Sequence, residues 1–205
     1  EFWDAELGLF VDRRRQDVPD TGPSVAGNAL ALLYDLVPSD RVQHVADFVA
    51  QGLRENRRPD GAVNTSTYFA FYALGALYRC GRTEDAEQFI RETWGTMLDA
   101  GAWTCWEFIN DRGSRCHAWS AAPTYYLSSS VLGVSFPQPG NPGRVRIEPQ
   151  PGTLNWARGA WPHPKGLIEV HWWREGEEVQ VEVSAPQSVD VEVVQPTTRS
   201  AAVLR

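Results

Sequence analysis

Residues 134–143 read VSFPQPGNPG, and on either side of them the apolar residues keep different periods. No helix runs through a segment this rich in proline and glycine, so the two sides have to fold as different kinds of structure. Upstream, apolar residues recur every three to four positions. Downstream they alternate: Val145 and Ile147; Ile168, Val170 and Trp172; Val179, Val181 and Val183; Val189, Val191 and Val193. The predicted fold class is multidomain, α then β. Residues 1–134 make a domain of helical hairpins. Residues 135–205 make a small antiparallel β-sandwich, because strands of this pattern need another layer over their apolar face.

Local chemistry places the helices. Ser24 suits a cap for a helix that buries Val25, Ala29, Leu32, Leu33 and Leu36 and is ended by Pro38. Ser39 suits the cap of the next, whose stripe is Val42, Val45, Ala46, Val49 and Leu53. RRPDGAVNTS is a loop. A third helix is predicted from about Thr65, with Tyr68, Phe69, Tyr72, Ala76 and Leu77 as its core stripe and Gly81 as its stop. Thr83 starts a fourth, with Glu84 and Asp85 at the positive end of its dipole and Ala86, Phe89, Ile90, Trp94 and Met97 as its stripe. A fifth is predicted over residues 120–132, with Pro123 tolerated in its first turn.

Composition narrows the partners. The 205 residues are 42% hydrophobic, ample for a core, and carry a net charge of −7. The longest basic run is Arg13-Arg14-Arg15, far short of the clustered cations that a phosphate backbone demands, so nucleic acid is not an expected partner. No apolar run reaches the length of a bilayer, so no membrane partner is expected either. The opening Glu-Phe-Trp-Asp has neither a start methionine nor a basic-then-apolar leader, and the chain reads as a piece of a longer polypeptide. Cys80, Cys105 and Cys116 stand in no C-x-x-C spacing and read as free thiols, so neither a metal nor a cofactor is expected. Cys105 and Cys116 flank one segment, but spacing alone does not pair them.

That segment is GAWTCWEFINDRGSRCHAWSAAPTYYL, residues 101–127. It sets Glu107 among Trp103, Trp106 and Trp119, with His117 further on. A carboxylate among aromatic rings suits general acid or base work, and flat rings suit the apolar face of a sugar as well as a core. An exposed glutamate with its tryptophans packed beneath fits the same letters. His117 is equally a partner for a sugar hydroxyl or a core histidine. Asn64 is a weaker candidate for a polar contact. In the β region Trp156, Trp161, Trp172 and Trp173 are either packing residues or sugar platforms, and adjacent Trp172 and Trp173 must point to opposite faces. Glu175 to Glu178 reads as a solvated turn without the ligand spacing of a calcium loop.

The stretches GAWTCWEF, SRCHAWSAAPTYYLSSSVLGV and RVRIEPQPGTLNWARGAWPHPKGLIEVHW, in that order, resemble the end of the catalytic domain and the start of the C-terminal sandwich in bacterial α-L-rhamnosidases of glycoside hydrolase family 78. FWDAELGLFVD, GNALALLYDLVP and NTSTYFAFYALGALYRCGRTEDA extend the likeness over nearly the whole chain. The resemblance implies the last hairpins of an (α/α)6 toroid followed by a β-sandwich, and an inverting hydrolase that releases terminal α-L-rhamnose from glycosides. Inverting enzymes hold an acid and a base about 6.5–9.5 Å apart, leaving room for the attacking water. Glu107 matches the family's general base in aromatic-T-x-W-E, and His117, in CHAWS, resembles its sugar-hydroxyl ligand. Trp106 and Trp119 are then expected near the sugar, with Trp103 undecided.

The family's general acid lies upstream of anything in this chain. The resemblance therefore implies that the missing N-terminal half of the same polypeptide is a necessary partner and that the piece alone is inactive. Cys105 stands where the family often has Thr or Ser, and SVAGNAL replaces a segment that frequently carries a polar Gln or His ahead of the alanine. Two other functions remain open: a non-catalytic carbohydrate-binding or structural module, in which the sandwich binds and the helices are scaffold, and a six-hairpin glycosidase for another sugar.

Overall fold

The computed structural model describes residues 2–15, 18–55, 65–109 and 113–196; Asn64 and most of the RRPDGAVNTS loop lie outside them. The chain divides between Ala122 and Pro123 into two compact units.

The first unit opens with two short antiparallel pairs, β1 (Trp3–Asp4) with β2 (Leu9–Phe10) and β3 (Arg13–Arg15) with β4 (Val18–Thr21). Periodicity does not predict them, because strands this short show no readable alternation. In the first turn the Asp4 carboxylate accepts the N–H groups of Glu6 and Leu7, each at 3.0 Å. Helix α1 (Val25–Leu33) follows, with the Ser24 hydroxyl accepting the Gly27 N–H at 3.0 Å as expected of a cap. Its end differs from expectation. Asp35 turns left-handed at φ +56° and the Leu36 N–H donates back to the Ala31 carbonyl at 2.9 Å, so the helix stops ahead of Pro38 and Leu36 is exposed rather than buried.

A single 3-10 turn, Ser39–Arg41, precedes α2 (Val42–Arg54), and Ser39 therefore makes no side-chain cap. The buried face of α2 is Val45, Ala46, Val49, Ala50 and Leu53, the predicted stripe with Ala50 in place of Val42, which is half-buried. Helix α3 (Ala70–Arg79) starts later than predicted. Ser66 takes the Phe69 N–H on its hydroxyl at 3.1 Å and the Ala70 N–H on its carbonyl at 2.9 Å. Its core face is Ala70, Ala73, Leu74, Ala76 and Leu77; Tyr68 is exposed and Phe69 and Tyr72 are half-buried, which corrects the predicted stripe. Its alanines and Gly75 let α3 pack closely on α1. Gly81, at φ +71°, ends the helix, with the Arg82 N–H on the Leu77 carbonyl at 2.9 Å. Helix α4 (Thr83–Asp99) has Glu84 and Asp85 in its first turn, buries Phe89, Trp94 and Met97, and packs on α2 and α3.

The predicted fifth helix is broken into a 3-10 turn (Ala118–Ser120), α5 (Ala122–Tyr126) and a π turn (Leu127–Val131). The strands of the second unit follow: β5 (Val134–Ser135), β6 (Arg144–Ile147), β7 (Trp156–His163), β8 (Gly166–Glu175), β9 (Glu178–Ser184) and β10 (Asp190–Val193). Strands β7-β8-β9 form an antiparallel meander. Its second hairpin turns at Gly176, φ +65°, within the turn predicted over Glu175 to Glu178. The other sheet has the order β10-β6-β5, with β5 and β6 antiparallel. Strands β6 and β10 run parallel, Val191 opposite Val145 and Val193 opposite Ile147, which corrects the all-antiparallel expectation. Parallel neighbours need a long connection, and here the whole β7-β8-β9 meander serves as one.

Ile168, Val170 and Trp172 face inward on β8, and the Trp172 indole N–H donates to the Val131 carbonyl at 2.8 Å. Trp173 is half-exposed, so the adjacent pair divides between the faces. Gly133, at φ +82°, brings its α-carbon so near Glu148 and Pro149 that a β-carbon would lie 2.3 Å from the Glu148 backbone. No helix of the described residues is long and apolar enough to cross a membrane.

Asn28, fully buried, joins the N-terminal hairpin to α1. Its side-chain oxygen accepts the Phe10 N–H, and its amide donates to the carbonyls of Phe10 and Ser24, each at 2.9 Å. Asn28→Ala strands buried polar groups of Phe10, each costing about 1–3 kcal/mol. We expect a loss of stability on the order of 2–3 kcal/mol in urea unfolding, and a midpoint equal to that of the unsubstituted chain would remove Asn28 from this role.

Candidate active site

Beyond α4 the chain turns at Gly101, φ +78°, with the Ala102 N–H on the Met97 carbonyl at 2.9 Å. Two segments, residues 104–107 and 114–117, are then joined through their backbones. The Glu107 N–H donates to the Ser114 carbonyl at 2.8 Å, and the His117 N–H to the Cys105 carbonyl at 2.9 Å. The Thr104 hydroxyl donates to the Arg115 carbonyl.

The Glu107 side chain folds back over this turn. Its Oε2 accepts the Ser114 N–H at 2.9 Å, so one residue holds both ends of Glu107. A backbone N–H only donates, which makes Oε2 a fixed acceptor. The Glu107 carbonyl accepts the hydroxyl of buried Thr67 and the indole N–H of Trp119, the latter at 3.4 Å. The turn is thereby tied to the approach to α3. Gly113, at φ +75°, makes the fold-back possible: a β-carbon there would sit 2.6 Å from Glu107 Oε2 and 2.9 Å from the Phe108 ring.

His117 Nδ1 lies 4.0 Å from Glu107 Oε2, too far for a hydrogen bond. One water or hydroxyl oxygen reaches both at the usual distance of about 2.8 Å, so the pair can hold a single small oxygen between an acceptor and an imidazole. The His117 ring lies 4.0 Å, centroid to centroid, from Trp119, which is 44% exposed, and Tyr68 lies 5.5 Å on from Trp119. Tyr72 continues the row at 6.0 Å from Tyr68. Glu107, His117 and Trp119 are thus brought together, with an open aromatic wall beside them.

The remaining tryptophans differ. Trp106, 7% exposed, is packed below the turn, its backbone N–H on Met97 Sδ at 3.5 Å and the Arg115 guanidinium 5.4 Å from its ring centroid. Trp103, 99% exposed, makes no part of the cluster. Sequence reasoning missed Thr67, Gly113 and Ser114 and took Tyr68 for core. Gly113 ahead of Ser114 was the signal available, since glycine marks a position where the backbone can turn left-handed.

Among the described residues no group of three or more His, Cys, Asp or Glu is placed to hold a metal ion. The three cysteines are free. Burial pushes the Cys80 thiol up to about 11, and it raises Cys105 as well, with a smaller contribution from Cys116. Cys116 is exposed.

Gly113→Ala should cost about 1–2 kcal/mol for the left-handed backbone alone, before the contact with Glu107 is counted. Urea unfolding measures it, and an unchanged midpoint would falsify the fold-back geometry. The thiols give a second test. The thiolate is the reactive form, so alkylation by iodoacetamide at pH 8 should reach Cys116 first and Cys80 last. Because the folded state holds the Cys80 proton more tightly, its contribution to stability is complete below the unfolded thiol value and is lost as pH rises toward about 11. Mass spectrometry of peptides from a time course reads the order, and early labelling of Cys80 would contradict its burial.

Comparison with known proteins agrees with this organisation. Residues 15–131 match the family described as bacterial alpha-L-rhamnosidase 6 hairpin glycosidase domain, and residues 133–203 match the bacterial alpha-L-rhamnosidase C-terminal domain. An alpha-L-rhamnosidase of Alteromonas sp. (strain LOR) is 26% identical over 212 residues, covering 96% of this chain and 22% of that protein. The crystal structure of a GH78 family rhamnosidase of Bacillus sp. GL1 matches with a TM-score of 0.74 at 31% identity, over 96% of this chain and 21% of its own. The alpha-L-rhamnosidase of Dictyoglumus thermophilum matches with a TM-score of 0.73 at 25% identity, over 87% of this chain and 21% of its own. The chain spans about a fifth of the length of these relatives.

Proposed function

Because the chain belongs to the bacterial α-L-rhamnosidases of glycoside hydrolase family 78, we propose that it is the C-terminal segment of an inverting glycosidase that releases terminal α-L-rhamnose from glycosides. Glu107 is the general base in this reading. The observation that carries it is the tethered carboxylate, with Oε2 on the Ser114 N–H, 4.0 Å from His117 and beside the open ring of Trp119.

Glu107 takes a proton from a water held against His117, and that water attacks the anomeric carbon on the face opposite the departing oxygen. The carboxylic acid that protonates the leaving oxygen comes from residues outside this chain, in the N-terminal part of the same polypeptide. Trp119, extended by Tyr68, covers the apolar face and methyl group of the deoxysugar. Trp106 supports the turn from below and acts on the sugar through Glu107 rather than by contact. Helices α1–α4 are the last hairpins of the (α/α)6 toroid, and the two sheets are the layers of a C-terminal β-sandwich, with the domain boundary at 134/135. The piece alone, a base without its acid, is inactive.

The test is hydrolysis of a chromogenic α-L-rhamnoside by the full-length parent, unsubstituted and with Glu107→Gln, with the product anomer followed by NMR. We expect β-L-rhamnose as first product and a loss of turnover of about 10²–10⁴-fold in the variant. An active parent with an unaffected variant would remove Glu107 from the mechanism. A parent inactive on this sugar would turn the reading to another glycoside.

A further inference from the structure

Strand register assembles a second group of residues on the outer face of the β7-β8-β9 meander. Trp156 stands opposite Trp173, Arg158 opposite His171, and Ala160 opposite Glu169. From the other side Gln180 faces Trp173, Glu182 faces His171, and Ser184 faces Glu169. Directly opposed residues share a face and alternate residues return to it, so these form one surface. Ile168, Val170 and Trp172 occupy the reverse face, where they are buried.

This surface is unusual for strands turned to water. Trp156 is 63% exposed, and Trp173 is half-exposed with its indole N–H held by Glu175 Oε1 at 2.9 Å. The His171 ring lies 4.9 Å from Trp173 and its Nδ1 lies 3.8 Å from Glu182 Oε2. Farther along the same face, past His171, an open depression of about 490 Å³ is bordered by Arg158, Glu169, His171 and Glu182. Flat apolar faces next to a ring of donors and acceptors are the components of a small-ligand site. The charges there are of both signs, so they favour neither a polyanion nor a cation. A neutral polyhydroxylated ring suits them: its C–H face lies on indole, and its hydroxyls donate to carboxylates and accept from guanidinium.

We propose that this face is a second saccharide-binding site, which takes a neutral sugar unit of a glycan on Trp156 and Trp173. It shares no residue with the Glu107 turn, and it stands or falls independently of the role proposed for Glu107. Its effect is to hold a polymeric or glycan-bearing substrate on the enzyme without taking part in the chemistry.

The experiment uses the full-length parent, unsubstituted and as Trp156→Ala, Trp173→Ala and Arg158→Ala variants, in native gels containing a neutral arabinogalactan as the polysaccharide. Thermal unfolding checks the fold of each. Retardation by the polysaccharide is expected, weakened about tenfold or more in each tryptophan variant and less in Arg158→Ala. Hydrolysis of a small chromogenic rhamnoside should stay unchanged, because that substrate never reaches the second face. Equal retardation of parent and variants would overturn the proposal, as would a parent that the polysaccharide does not retard. Tryptophan variants with lowered melting temperature and unchanged retardation would make the face a contact within the parent polypeptide, and would overturn it as well.

Discussion

The candidate site hangs on the exchange between Glu107 and Ser114, in which a backbone N–H and a carboxylate oxygen of one residue engage the carbonyl and N–H of the other. A free glutamate side chain holds on the order of 1.5–2 kcal/mol of rotamer freedom, and here the fold has already removed much of it. For the general base proposed above, a carboxylate held in advance leaves less reorganisation for the moment of reaction. The exchange closes only because Gly113 leaves room for the carboxylate, and the turn stays put because Thr67 and Trp119 both donate to the Glu107 carbonyl. The turn is thus tied to the approach to α3 through Thr67 and packed against the end of α4 through Met97 and Trp106.

Period carried most of what the sequence revealed of the fold. The switch at residues 134–143 separated helices from strands, and the stripes of α2 and α4 follow from spacing alone because those helices bury one face against neighbours of ordinary size. The reading of α3 went astray for a physical reason. Its packing face mixes Leu74 and Leu77 with alanines, whose small side chains score weakly as a stripe, while Tyr68, Phe69 and Tyr72, which score strongly, are exposed or half-buried. The end of α1 was misjudged because Pro38 is a visible stop, whereas left-handed Asp35 leaves little mark in a sequence. The parallel pairing of β6 with β10 was out of reach for a related reason: alternation says which face a residue takes but nothing about strand direction.

The site was visible in part. Glu107, His117 and Trp119 were chosen by residue type and resemblance, and the fold brings those residues together. What holds them was not visible, since Thr67 and Ser114 act through a hydroxyl and a backbone N–H that any sequence offers in abundance. The four tryptophans from 103 to 119 and in α4 show how little residue type says about use: Trp94 donates its indole N–H to the Ser120 carbonyl within the core, Trp106 underlies a turn, Trp119 lines an opening and Trp103 stands in solvent.

The pairing of β6 with β10 also orders events during synthesis. Strand β6 leaves the ribosome with one edge covered by β5 and the other bare, and it stays so until residues 190–193 have followed. Meanwhile β7, β8 and β9 can zip as consecutive hairpins, each closing over a turn of a few residues, so the meander is complete while its companion sheet still waits for a strand. The bare edge of Arg144-Val145-Arg146-Ile147 offers its backbone groups to any neighbouring chain. A nascent chain stalled before Val191 would present that edge, whereas β10 replaces it with one that carries Asp190 and Glu192, charges that discourage further pairing.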